Sequence, residues 1–207
     1  LHQSNYWYND GLRKAKIRDI SGAVQSLKRS LQYNRENIPA RNLLGLVYYE
    51  RGEIAEAIVE WILSQNFQKS DNLAGYFIRE IQEDKKTLEE IDRAVQMYNQ
   101  CLVYCDQGAE DLAVIQLKKA VQIHPSYLKA YQLLALLYLK TGQYQKAKQV
   151  LKRARRLDTT NETTLKYMHE LSELRETQGT KGREQKTYEI GNDTVIQPAV
   201  SPLKENA

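Results

Sequence analysis

Small and large apolar residues recur along this chain at fixed intervals. With Ser4, Ile38, Ala94 and Leu128 taken as unit starts, the members of each pair lie 34 residues apart, and 22 further residues separate the pairs. Matching places hold Gly11, Gly45, Cys101 and Ala135, then Ala23, Ala57, Ala113 and Ala147, then Ser30, Ser64, Ala120 and Ala154. All are small. Two helices that cross closely need such residues, because larger side chains hold the axes beyond the roughly 8–10 Å of ordinary packing. A period of this length marks a helical repeat array.

The unit at residues 128–161 shows the pattern most clearly. Tyr131, Leu134, Ala135 and Tyr138 stand at three- and four-residue spacings, which predicts one apolar helical stripe. Gly142 then interrupts, as a residue able to take the left-handed conformation at a helix end does. Tyr144, Ala147, Leu151 and Ala154 form a second stripe, closed by the polar run Asp158 to Asn161. The prediction is a helix, a turn and a helix.

The order large, small, aromatic, glycine, alanine, large, alanine resembles the tetratricopeptide repeat (TPR) family. Residues 38–71 carry it as Leu44, Gly45, Tyr48, Gly52, Ala57, Trp61 and Ser64. Residues 94–127 carry Cys101, Tyr104, Gly108, Ala113, Leu117, Ala120 and Pro125. Residues 4–37 diverge: Trp7, Gly11, Ala23 and Leu27 fit, whereas Asp10, Lys14 and Arg18 stand where Leu, Tyr and Gly are typical. The resemblance implies an all-α, right-handed α-solenoid of TPR helix pairs over residues 1–175.

Residues 72–93 do not complete a repeat. Leu73, Tyr76, Phe77 and Ile81 predict a short inserted helix, and Leu88 and Ile91 an early start to the helix of the next unit. Such an insertion offsets the array, since each unit meets only its neighbours. Residues 162–175 place Leu165, Met168, Leu171 and Leu174 on one face, as a C-terminal capping helix does. From residue 176 to residue 207 no period persists, and the segment reads as a flexible tail.

Composition narrows the function more than the fold. Ten glycines and four prolines in 207 residues suit long helices with short turns. The net charge of +4 is concentrated in the last unit and its cap. No stretch reaches the length of apolar sequence that spans a membrane. Cys101 and Cys105, the only cysteines, share a helix face with no further ligand nearby, which predicts packing rather than metal or redox chemistry and suits a reducing, cytoplasmic compartment. The arrangement also resembles uncharacterised bacterial repeat proteins, some of which add a transmembrane helix, so it equally suits the soluble part of a longer membrane-associated protein.

Nothing in the sequence predicts catalysis. His2, His124 and His169 are far apart, and no phosphate loop, dinucleotide glycine motif or calcium loop is present. No catalytic residue, metal ligand or cofactor is assigned. The family resemblance instead implies that the first helix of each unit lines a concave groove. It places Tyr8, Leu12, Leu46, Tyr49, Tyr98, Leu102, Leu136 and Lys140 there, with Leu at the ninth place of all four units. That composition suits a peptide or protein partner of unknown identity. Members that clamp chaperone carboxylates use Lys and Asn where Tyr8 and Leu12 stand, so that clamp is absent. The alternative is a basic surface, Lys152, Arg153 and Arg156, attracting nucleic acid or anionic membrane. Sparse aromatic interleaving argues against nucleic acid. Exposed Tyr and Leu also suit self-association.

Overall fold

A computed structural model describes residues 1–174 and 176. The tail expected over 176–207 lies, apart from Glu176, outside the described residues. Every regular element among the described residues is helical. The helices are α1 (His2–Lys16), α2 (Ile20–Tyr33), α3 (Ile38–Glu50), α4 (Ile54–Phe67), α5 (Ala74–Glu83), α6 (Lys85–Asp106), α7 (Glu110–Ile123), α8 (Leu128–Lys140) and α9 (Tyr144–Leu157), followed by α10 over 162–174. Residues Leu1–Leu171 form one compact unit. Within it α1 packs on α2, α3 on α4, α6 on α7 and α8 on α9, and successive hairpins stack through α2–α3 and α7–α8. The architecture is an all-α solenoid of helix hairpins.

The small residues sit where the period places them. All twelve are buried, and the alanines, serines and Cys101 are fully excluded from solvent. A Cβ added at Gly45 would lie 2.6 Å from Trp61 Cε2, and one at Gly11 would lie 2.7 Å from Leu27 Cγ. Trp61 lies over the bare backbone of α3 and donates its indole N–H to the Asn42 carbonyl at 3.1 Å. The buried serines satisfy their hydroxyls in the same crossings: Ser30 donates to the Ser4 carbonyl at 2.7 Å and Ser64 to Asn42 Oδ1 at 2.6 Å. Paired in this way, they cost little to bury.

The divergent residues of the first unit compensate one another. Asp10 accepts from Lys14 Nζ at 2.8 Å and from Ser26 Oγ at 2.6 Å, so a polar cluster replaces the usual apolar contact between α1 and α2. Lys14 first, then Ser26, hold the Asp10 carboxyl well below the usual carboxylate range. Arg18 takes the glycine place with φ of +62°.

Helix α5 is the first helix of a unit cut short. Ala74 stands 34 residues after Ala40 and, like it, is fully buried, and α5 packs on α4 as α3 packs on α2. Asn72 accepts from the Ala74 amide at 3.0 Å, as Asn37 does from Ala40 at 3.1 Å. The chain then breaks at Asp84, which ends α5 and caps α6 by accepting from Thr87 N at 3.0 Å. In place of a second helix packed along α5 as in the other hairpins, the chain runs on into the long α6, which meets α5 only lightly.

That break brings two edges of the array together. The loop after α9 meets the turn between α1 and α2. Asp158, fully buried, accepts from Ser21 N at 3.1 Å and Ser21 Oγ at 2.6 Å. Thr159 donates its amide to the Arg18 carbonyl at 2.9 Å, and Thr160 Oγ1 bonds Asp19. Alongside, the α7–α8 loop meets the α3–α4 turn, where Gly52 (φ +79°) leaves room for His124 and Glu53 pairs with Lys129 at 3.7 Å. The pairing order is reversed along the chain, so the front and rear hairpin stacks run antiparallel, edge to edge.

The apolar face read for the cap is rotated. Thr164 is fully buried and Leu171 buried, whereas Leu165 is 40% exposed. Asn161 sets this rotation by accepting from Thr164 N at 3.1 Å while receiving Gln132 Nε2 on the same oxygen.

Two variants test these contacts. Gly45→Ala forces Trp61 out of its place and is expected to lower unfolding free energy by about 1–3 kcal/mol in urea titration. Asp158→Ala strands the Ser21 amide and is expected to cost about 2–3 kcal/mol, with faster hydrogen exchange at Ser21.

Candidate functional site

The first helices bury one side against their own second helices and leave another side half-open. In α3, Leu44, Gly45 and Tyr48 turn into the hairpin, while Ala40 and Val47 are also buried. Leu46 and Tyr49 are only half-buried and line two cavities, one on each side of α3. The first, of about 330 Å³, lies toward α1 and α2 with Ala15, Arg18, Ile20 and Glu50. The second, of about 280 Å³, lies toward α5 and the start of α6. Both cavities open beside α3 while Leu44, Gly45 and Tyr48 stay packed in the core.

The other expected groove residues are not gathered into those cavities. Tyr8 packs against the core of the front hairpins, and Leu12 is half-buried on the same helix. Tyr98 stands 5.3 Å, ring to ring, from Tyr127, and burial pushes its phenol upward in pKa. Leu102 and Leu136 are 41% and 36% exposed, so α6 and α8 present open apolar positions. Lys140 is held by Glu110 at the start of α7 in an exposed ion pair, which raises its pKa; the cation is already neutralised in part.

Residues of the truncated unit were missed in the sequence because they fall outside a full repeat. Tyr76 and Glu80 stand 34 residues after Asn42 and Leu46, both groove places, and both line the second cavity. The available signal was Ala74 in register with Ala40.

Cys101 serves packing. Cys101 is fully buried with its thiol directed at the Ala113 carbonyl at 3.4 Å, and burial pushes it up to about 11. A thiol so held is a poor nucleophile. Among the described residues no group of three or more His, Cys, Asp or Glu side chains converges as a metal site. On α9, Lys152, Arg153 and Arg156 are exposed and make no ion pair among the described residues. No helix among the described residues is long and apolar enough to cross a membrane.

Family models agree with this architecture. Models of the tetratricopeptide repeat match residues 8–70 and residues 106–164. A TPR repeat-containing protein of Methanocaldococcus jannaschii is 26% identical over 172 residues, which cover 80% of this chain and 24% of that protein. The chain thus spans about a quarter of the length of that relative. Among solved structures, the MamA protein is 23% identical with a TM-score of 0.33, covering 75% of this chain and 91% of that one. The TPR domain of P58(IPK) is 11% identical with a TM-score of 0.42, covering 84% and 46%.

His124 gives the edge contact a pH dependence. Its Nε2 is buried without a hydrogen-bond partner among the described residues, and burial lowers its pKa from the ordinary 6.5. The unfolded chain therefore binds this proton more readily than the folded one, so the contribution is complete above pH 6.5 and is lost as pH falls through the depressed value. Urea titrations between pH 7.5 and 5 are expected to show stability falling with pH, by less in His124→Gln.

Proposed function

Because the chain belongs to the tetratricopeptide repeat family, we propose that it is a non-enzymatic scaffold or adaptor receiving a peptide or protein segment in its groove. The family as a whole consists of protein-interaction scaffolds that are in general non-catalytic, and its members bind protein partners. For this chain the contacts are Leu46 and Tyr49 at the front, with Tyr8 and Leu12 beside them, and Tyr98, Leu102, Leu136 and Lys140 at the rear. The supporting observation is that Leu46 and Tyr49 stay half-buried and line two cavities although every crossing around them is close-packed. Rigid, partly apolar walls of this kind lower the ordering cost of binding. In this reading the protein works in the cytoplasm, either alone or as the soluble part of a longer membrane-associated chain.

A photo-cross-linking residue placed at Tyr49 or Leu136 is expected to trap a partner from source lysate. Leu46→Glu, or Tyr98→Ala with Leu136→Ala, should remove that capture while the helical signal persists. Charge reversal at Lys152, Arg153 and Arg156 should leave it intact. Unchanged capture by both groove variants, or its loss on charge reversal alone, would count against the groove.

A further inference from the structure

The truncated unit gives the groove a pocket that a whole repeat would not. The second cavity is floored by Trp61 and walled by Leu46, Tyr49, Phe77, Ile81 and Leu88. Trp61 is 1% exposed, and its ring lies 5.1 Å from Phe77 and 6.3 Å from Tyr49. The indole is fixed by its bond to the Asn42 carbonyl, so the aromatic wall is ordered before anything binds. Its volume of about 280 Å³ exceeds the roughly 150 Å³ that suffices for benzene in an apolar cavity. One large side chain fits; a helix does not.

The rim is acidic. Among the described residues the carboxylates lining the cavity are Glu80 and Asp84, and neither Lys nor Arg lines it, while Lys86 stands near enough to act on Asp84. Thr87 holds the Asp84 carboxyl below its ordinary pKa, through its hydroxyl and its amide, so that group stays anionic. Glu80 is exposed and makes no ion pair among the described residues. Aromatic faces beside such a rim add to the attraction for a cation.

We propose that this pocket selects the partner: it takes one aromatic or large aliphatic side chain that stands next to a Lys or Arg. The inference rests on the groove reading above and names the chemistry of its occupant. The break at Asp84 is what builds it, since the same residue ends α5, starts α6 and supplies half of the acidic rim.

The pocket can be tested without the partner. Isotope-labelled full chain is titrated with phenethylammonium and with 3-phenylpropionate, which share a phenyl group and differ in charge, while the methyls of Leu46, Ile81 and Leu88 and the Trp61 indole N–H are followed by NMR. Phenethylammonium is expected to shift these signals and to bind several-fold more tightly than 3-phenylpropionate. Glu80→Gln, at an exposed position, should reduce that preference while leaving the rest of the spectrum in place. Failure of phenethylammonium to move these signals, or equal binding of the two probes, would overturn the pocket. Partner capture at Tyr49 or Leu136 together with that failure would remove the pocket alone and leave the groove standing. Probe binding without any capture would do the reverse.

Discussion

Close helix crossing is the constraint from which the remaining structure follows. Gly45 admits the Trp61 ring against the backbone of α3, and Gly11 admits Leu27 against α1; Ala57, Ala113 and Ala147 are fully buried at the corresponding places of their second helices. A close hairpin has little lateral freedom, because interiors packed to crystal-like density transmit displacement instead of absorbing it. Each hairpin therefore hands a defined orientation to the next, and the turns and loops at its ends arrive at fixed positions. The edge contacts need that precision, since they join segments distant in the chain, by hydrogen bonds at Asp158 and by close packing and an ion pair at the Gly52 turn.

The truncated unit converts a regular stack into a folded-back one. With α5 followed by the long α6, which touches it only lightly, the chain passes through Asp84 and returns, and the front and rear hairpins meet along their edges. Asp158 illustrates the chemistry. A buried carboxylate is costly unless its lone pairs are filled, and here the Ser21 amide and hydroxyl fill them. The same departure from periodicity leaves an opening beside α3 in which Leu46, Tyr49 and the residues of α5 remain accessible. The irregular element thus shapes both the closure and the cavity beside α3.

The local rules were readable in the residues and the long-range ones were not. Gly, Ala and Ser at repeating places gave the hairpins, and Gly142 gave its left-handed turn, because these depend on neighbours a few residues away. Asp10, Lys14 and Ser26 look like departures from the pattern when taken one at a time, and only their mutual hydrogen bonds explain why the pattern tolerates them. The cap's face depended on Asn161 capping through Thr164, which outweighed the Leu165 stripe. The meeting of residues 158–161 with residues 18–21 has no periodic signature at all, since polar loop residues carry no record of a partner 140 positions distant. Among the residues lining the cavities beside α3, Leu46 and Tyr49 stand at regular places of the repeat, whereas Tyr76 and Glu80 lie in a segment too short to count as one.

A preformed docking face requires that the two stacks behave as one body, with the edge contacts carrying part of the stability. Native-state hydrogen exchange under increasing denaturant measures this directly. The account predicts that the slowest amides of α3, α4 and α8 share one opening free energy and the same denaturant dependence. Exchange of α8 and α9 through a separate, lower-energy opening, with α3 and α4 still protected, would contradict it.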